Sequence, residues 1–572
     1  MGRVAVAAIT SLWIIPISIA VNRIVPDPYM DEIFHIPQAQ RYCHGDFKTW
    51  DPMITTPPGL YYISLVYVAS LFPGMWFARV VQSFPELCSI PFLRSSNAVM
   101  AVVCSVLVYD LLVFLRPSLS EKKATIYAVL IALYPLHCFF TFLYYTDVAS
   151  VTAVLAMYLT CLRRQFFISA MFGGFATLCR QTNVVWLAFV AATGSISYVE
   201  DLCRKDHVNL IAGLVAFSSN VGATIVLRRS RRAAAAAPAA AIIAATAVVV
   251  AAITVVAASV GSCSVDPCCL MNEICDLSLM FWHLKWNVLV TFFPFLLVLV
   301  AFVAFVFHNG GIVLGAKEAH VVSPHFAQLM YFGLAAAAAL APVHFSFGQA
   351  SILWQLIRRN KAGNSVKILA SLVICLIFVH FFSVAHPYLL ADNRHYTFYI
   401  WRRVIQAHWS IKYFLVPLYA YSWFSIISTL AKAQRKVWVL LFCLATAAVL
   451  IPTPLIEFRY FTIPFYFLIL NSRAEDNSIK WMLIGIIYSS INIFVMLMFL
   501  FCPFRWDHEP GIQRFIWLIP WEPAGTASLP GSRPGPTTGS QPFTFKPAGH
   551  APQPLSVPVY QQRRVVDAGD RT

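Results

Sequence analysis

Apolar residues run along most of this chain without the strict alternation of strands or the one-sided stripe of a soluble helix. Stretches of the roughly 20 residues needed to cross a bilayer as a helix recur. They begin near Val4, Leu60, Asn97, Ala124, Val148, Phe166, Val208, Ala239, Val288, Phe326, Val366, Tyr413, Val437, Ile456 and Trp481. The pattern predicts an all-α, polytopic transmembrane helical protein with about 12–14 spans. The first run, residues 4–22, lacks a small-residue cleavage site before Asn22-Arg23 and reads as an uncleaved first span. Two segments break the pattern. Residues 228–285 begin with RRSRR and continue into an Ala-rich, low-complexity stretch. Residues 523–572 are rich in Pro, Gly and Ser and read as a disordered tail behind a multi-spanning domain over 1–520.

One polar stretch stands out between apolar runs. Pro28–Gly59 holds Asp31, Glu32, His35, Arg41, His44, Asp46, Lys48 and Asp51, with Tyr29, Tyr42 and Trp50 among them. Its first part is predicted helical, and Asp31 and His35, four apart, share a face. Pro52, Pro57 and Pro58 then end regular structure. A helix at the water–lipid boundary can present a carboxylate to a substrate whose tail remains in the bilayer. The alternative is a solvated loop whose acids cap a helix.

Composition narrows the class. Of 572 residues 59% are hydrophobic and 12% charged, where soluble domains carry about 25% charged residues. The net charge is +16, and no run interleaves basic and aromatic residues as a nucleic-acid groove would, so the excess points to basic cytoplasmic loops and anionic membrane lipid. Lys432, Arg435 and Lys436 lie in one short loop and Arg473 and Lys480 in another; both read as cytoplasmic. The loops 386–408 and 453–460, and with them 28–59, then face the other compartment. Most of the 14 cysteines sit in apolar runs as small packing residues. Cys263, Cys268, Cys269 and Cys275 cluster and could pair if they face an oxidising compartment, but their spacing fits no zinc pattern. There is no Asn-x-Ser/Thr acceptor site.

Several blocks carry a resemblance. They are PYMDEIFHIPQAQRYC (28–43), WDPMITTPPGLY (50–61), FLYYTD (142–147), CRQTNVVW (179–186), NGGIVLGAKEAH (309–320), PHFAQL (324–329), HPYLLADNRHYTFYIWRR (386–403), LIEFRYFTIP (455–464) and RFIW (514–517). In order and content they resemble the dolichyl-phosphate-glucose-dependent α-1,2-glucosyltransferases of the endoplasmic reticulum, over most of residues 1–520. Residues 228–285 and the chain beyond Trp517 depart from the pattern. The resemblance implies a C-superfamily glycosyltransferase (GT-C) fold in the endoplasmic reticulum membrane, with a lumenal active site and 28–59 as its first lumenal loop. It implies dolichyl phosphate glucose as donor and a diglucosylated dolichyl-diphosphate oligosaccharide as acceptor. The donor is β-linked and the product α-linked, so the anomeric centre inverts.

Inversion in one step needs a base for the acceptor hydroxyl and cations for the leaving phosphate. The resemblance implies a catalytic acid in the first lumenal loop, a position matched by Asp31-Glu32; Asp31 is the first candidate for the base and Glu32 the second, with a helix-start charge as its other reading. Arg394-His395 and Arg459 are assigned to the phosphate, with Arg180 as a third candidate because a cation beside an apolar run is expensive unless partnered. His35, Gln181, Tyr396 and Tyr460 complete the substrate-binding set. Gln181 and Asn183 could equally bond a neighbouring helix, and Tyr396, Tyr399 and Trp401 could belong to an interfacial aromatic belt; Arg402 and Arg403 read as headgroup anchors. Asp147 is a functional candidate by its place between apolar runs, yet simple alternation of spans puts it on the cytoplasmic side; either an early span is re-entrant or Asp147 is structural. No DxD motif lies in a lumenal loop, and no metal or other cofactor is expected. A transporter would need paired repeats around a mid-membrane site, and none is evident; a channel-regulating membrane protein and a related C-superfamily enzyme that uses a different dolichyl-phosphate sugar are the remaining alternatives.

Overall fold

The computed structural model describes residues 1–217, 267–320, 322–472, 477–506 and 509–515. The low-complexity stretch from 228 to 266 and the tail lie outside the described residues.

In chain order the helices are α1 (Gly2–Ile24), α2 (Glu32–Cys43), α3 (Gly59–Phe77), α4 (Ile90–Leu115), α5 (Glu121–Ala132), α6 (Pro135–Phe140), α7 (Thr146–Leu162), α8 (Phe166–Cys179), α9 (Asn183–Phe217) and α10 (Pro267–His283). They continue with α11 (Lys285–Asn309), α12 (Ala327–Ala339), α13 (Ala341–His344), α14 (Phe347–Arg359), α15 (Lys361–Phe381), α16 (Pro387–Ala391), α17 (Tyr396–Ile400) and α18 (Ile411–Phe414). Last come α19 (Val416–Ala431), α20 (Lys436–Leu450), α21 (Thr462–Asn471) and α22 (Ser478–Phe501), followed by an antiparallel hairpin of β1 (Pro503–Trp506) and β2 (Glu509–Arg514). Among the described residues seven helices are long and apolar enough to cross a bilayer, or up to eight if a bent pair is one span. The apolar helices Thr146–Leu162, Phe166–Cys179 and Lys436–Leu450 are shorter.

The bundle has two faces. At one, Arg3 and Arg163 share Asp110, the Gly2 amide donates to Glu121, Arg164 pairs with Asp201 and Arg435 with Glu200. The basic loop 432–436 sits here, as the charge pattern predicts. At the other face lie the Pro28–Gly59 stretch and the loops after α15 and α20. Leu314 and Ala316 donate backbone hydrogen bonds to Thr55 and Pro52, and His325 donates one to Ile451, tying these loops together.

Helix α3 has the length and hydropathy of a span, yet the chain leaves and rejoins the same face around it. Gly59, at its first residue, lies against Leu178 and Cys179; a Cβ there would sit 2.6 Å from the Leu178 carbonyl, so only glycine permits the approach. After α3, Cys88 forms a disulfide with Cys43 at the end of α2, with Cα atoms 6.5 Å apart. In the first turn of α4, Arg94 grips Glu32 at the start of α2. Between Asp27 and Arg94 there is thus no net crossing. Of the two readings of Asp147 this matches a re-entrant early span: with one fewer traverse before it, the turn 141–145 that precedes α7 falls on the same face as Asp31. Asn97 holds that turn by donating to the Leu143 and Tyr145 carbonyls at 2.7 and 2.8 Å.

The cysteine expectation changes too. Pairing occurs between Cys43 and Cys88, while of the clustered cysteines only Cys275 has a described side chain, a free and exposed thiol.

Helix α21 lies at the centre of the bundle. It is apolar all round, and every residue but Ile463 is buried, as a helix enclosed on all sides must be. Phe467 stacks on Trp186 and Phe465 on Tyr134. The one turn of 3₁₀ helix that leads into α21, Phe458–Phe461, carries Arg459. The cation is therefore anchored at the start of a helix buried along nearly its whole length.

Candidate active site

The site begins with a departure from ordinary helix capping. Asp31 occupies the N-cap position of α2, but with helical angles (φ −64°, ψ −17°) and without a side-chain cap bond. Its carboxylate is left for another use. Met30, immediately before it, takes φ 56°, a conformation unusual outside glycine that concentrates at functional sites. The Asp31 amide donates to the Tyr145 hydroxyl at 3.0 Å.

The carboxylate of Asp31 meets Arg459, 3.1 Å away, and its side chain keeps 46% of its surface open. Arg459 also donates to Glu457 at 2.6 Å and lies 3.7 Å from Asp147. Asp147 in turn pairs with Arg180 at 3.0 Å, and the Arg180 guanidinium covers the Tyr460 ring. Five ionised groups from four separate segments, Asp31, Asp147, Arg180, Glu457 and Arg459, thus form one chain of contacts. Phe140 and Tyr145 lie under Arg459 and give it aromatic faces. Asp147 stands in the first turn of α7, where a helix favours negative charge.

Burial alone would push the Asp31 carboxyl up, but Arg459, His35 and His395 outweigh it and hold the group below its ordinary value. His35 is pushed the other way. Burial lowers it to about 4, so its imidazole is neutral at neutral pH. It shares a 2.6 Å hydrogen bond with the Tyr61 hydroxyl.

Glu32 is adjacent in sequence and has a different environment. Its side chain is fully buried, and its two oxygens accept from Arg94 Nε (2.8 Å), Arg94 Nη2 (2.6 Å), the Tyr29 amide (3.0 Å) and the Tyr144 amide (2.6 Å). Arg94 spends its remaining N–H groups on Asn22, Val25 and Asp27, so all its donors are satisfied. A carboxylate enclosed in this way holds the strand of chain before α2 and the turn 141–145 in place. It has no oxygen to offer a substrate. Of the two acids read as catalytic candidates, Glu32 is the enclosed one and Asp31 the open one.

The other expected residues separate in the same manner. Arg394 chelates Asp392 and donates to Gln513 at 3.2 Å. His395 lies 3.7 Å from Asp392 and close enough to Asp31 to influence its carboxyl. Burial would raise the Asp392 carboxyl, but Arg394 and His395 hold it low. Tyr396 is buried against the Phe458 ring. Gln181 donates to the Thr55 carbonyl at 2.6 Å and Asn183 to Ser150 at 2.7 Å, so both amides serve the packing of neighbouring segments. Among the described residues no group of three or more His, Cys, Asp or Glu is arranged to hold a metal ion.

Sequence reasoning passed over Glu457, Asp392, Tyr61 and Arg94. Arg94 had a usable signal, since a cation inside an apolar run demands a partner. Glu457 stood two residues from Arg459 within an already quoted block.

Comparison with known proteins fits this geometry into a wider group. The family model described as the DIE2/ALG10 family matches residues 25–470. A protein of Arabidopsis thaliana is 54% identical over 90% of this chain and 100% of its own length. One of Mus musculus is 34% identical over 87% of this chain and 95% of its own, and one of Homo sapiens 32% over the same shares. Each bears the name Dol-P-Glc:Glc(2)Man(9)GlcNAc(2)-PP-Dol alpha-1,2-glucosyltransferase. No solved structure matches the chain. The Asp31, Asp147, Arg180 and Arg459 network lies wholly within the matched residues, and the chain belongs to the DIE2/ALG10 family.

Proposed function

We propose that this protein is the α-1,2-glucosyltransferase that its relatives' names describe, moving glucose from dolichyl phosphate glucose to the diglucosylated dolichyl-diphosphate oligosaccharide, with inversion and with Asp31 as base. The observation that carries the reading is the Asp31 carboxylate itself. It stands at a helix start without capping it, open on one side, and is held ionised by a buried arginine.

The chemistry follows from that setting. An inverting transfer requires the acceptor hydroxyl to lose its proton as the C1–O bond to phosphate breaks. Asp31 takes the proton and the dolichyl phosphate leaves as an anion. Each candidate cation is already paired: Arg459 with Asp31 and Glu457, Arg180 with Asp147, Arg394 with Asp392. A phosphate must therefore displace a carboxylate, and the Asp31–Arg459 contact is the most open of these. Exchanging Asp31 for phosphate on Arg459 stabilises the leaving group and at the same time releases Asp31 from the charge that weakens it as a base. His35, neutral and bonded to Tyr61, supports the helix that carries Asp31. Asp147 acts by positioning the two arginines.

The site face is proposed to be lumenal in the endoplasmic reticulum. The Cys43–Cys88 disulfide on that face suits an oxidising compartment, and the basic loop 432–436 lies on the opposite one. A transporter would need paired repeats around a mid-membrane site, and the sequence shows none. The test is direct. Purified protein with dolichyl phosphate glucose and the diglucosylated acceptor should yield a product one glucose longer, sensitive to an α-1,2-specific glucosidase. Absence of product from folded protein, or a different linkage, would overturn the reading.

A further inference from the structure

On the face opposite Asp31, α14 (Phe347–Arg359) departs from the direction of the spans. The segment Ala341–Arg359 is bent 91° from α12. It is tied to the end of α19 through the His344–Ser425 hydrogen bond (2.9 Å) and through Gln349, which donates to Thr429 at 3.2 Å. Asn360 caps the next helix by accepting from the Gly363 amide, and Asn364 closes the turn by donating to the Leu356 carbonyl. α14 therefore runs at nearly a right angle to α12, across the face where α19 ends.

Its residues are sorted around the axis to match. At 100° per residue, Gln349, Ile352, Leu353 and Leu356 fall on one side and are buried or half-buried against the bundle. The outward half divides again. Phe347 (97% exposed), Ala350, Trp354 (56% exposed) and Ile357 form an apolar edge, while Ser351, Gln355 and Arg359 form a polar one. Arg358 sits at the boundary with its guanidinium 4.9 Å from the Trp354 ring centre. Arg359 and Lys361 follow, all exposed. A helix with apolar, aromatic and basic strips in this order lies at the headgroup level, its aromatic edge among acyl chains and its cations beside phosphates.

We propose that α14 is an interfacial helix whose Arg358, Arg359 and Lys361 form a binding site for the headgroup of an anionic phospholipid. The proposal is independent of the chemistry assigned to Asp31. Three clustered cations next to a Trp at a membrane surface match anionic lipid in charge and depth, and among the described ion pairs none engages Arg358, Arg359 or Lys361.

The full chain is reconstituted in nanodiscs of phosphatidylcholine with a minor fraction of phosphatidylserine, extracted in mild detergent, and the co-purifying lipid quantified by mass spectrometry. Enrichment of phosphatidylserine over phosphatidylcholine is expected for the wild type. It should fall by about fivefold for each arginine replaced in Arg358→Gln and Arg359→Gln, and persist in the charge-preserving Arg358→Lys/Arg359→Lys variant. The substitutions are at exposed positions, so thermal stability should be unchanged. No enrichment in the wild type, or enrichment untouched by the double glutamine variant in a folded protein, overturns the proposal.

Discussion

Two adjacent carboxylates, Asp31 and Glu32, should respond to the same chemical change in opposite ways. In Glu32→Gln the buried Arg94 keeps its charge but loses its only anionic partner among the described ion pairs. Removing one member of a buried ion pair costs about 3–5 kcal/mol, because the other charge remains uncompensated in a low-dielectric site. The cost here belongs toward the upper end, since the glutamine amide would also turn N–H groups toward Arg94 or toward the amides of Tyr29 and Tyr144. In Asp31→Asn the partner Arg459 retains Glu457 and Asp147, and the lost contact is half exposed, so about 0–1 kcal/mol is expected. Thermal unfolding of the detergent-solubilised protein, followed by tryptophan fluorescence and by size exclusion after heating, measures both. Glu32→Gln should unfold at a markedly lower temperature, while the fraction that stays folded keeps transferase activity. Asp31→Asn should unfold with the wild type. A Glu32→Gln protein as stable as the wild type but without activity would refute the assignment of Glu32 to structure.

Further outcomes follow from the same network. Asp147→Asn removes the anion between Arg180 and Arg459 and should lower kcat by about 10²-fold through misplacement of groups, with a smaller change in KM for the donor; an unchanged kcat would show that Asp147 positions nothing. Because Asp31 is held below its ordinary value and His35 is pushed down to about 4, neither group changes charge near neutrality. The profile of kcat/KM, which reports the free enzyme, should therefore be flat with respect to these groups from about pH 5 upward and fall only as Asp31 protonates below that; an acid limb in kcat/KM centred between pH 6 and 7 would point to a different base. Cys43→Ser should destabilise the folded state by ~2–4 kcal/mol and reduce activity by loosening α2, measured by thermal unfolding and transfer rate side by side. Full activity in excess EDTA is expected, and loss of activity restored by manganese would require a metal site.

Much of the site was readable from residue types, and the misplacements have physical causes. Asp31 and Arg459 stand in unusual polar strings between apolar runs, and the structure puts them 3.1 Å apart across 428 positions of sequence. Arg180 is an isolated cation beside apolar chain that must find an anion, and it pairs with Asp147. The side of Asp147 stays open in the sequence because hydropathy reports that α3 is apolar but not whether the chain emerges opposite where it entered. Three long-range contacts, Gly59 against Cys179, Cys43 with Cys88 and Arg94 with Glu32, settle that, and none of these pairings can be read from local sequence. The division of labour between Asp31 and Glu32 was equally out of reach, since it depends on which way each side chain points when α2 is docked. Arg394 was recognised as belonging to the site face, but its capture by Asp392, two residues earlier, follows from a turn geometry that the residue types do not dictate.

The central claim is that the open carboxylate at the start of α2 removes the acceptor's proton. Single-turnover transfer by Asp31→Asn, with donor and acceptor both saturating, tests it most directly. The account predicts a rate lower by about 10²–10⁴-fold with donor binding and unfolding temperature preserved. Turnover by Asp31→Asn near that of the wild type would contradict it.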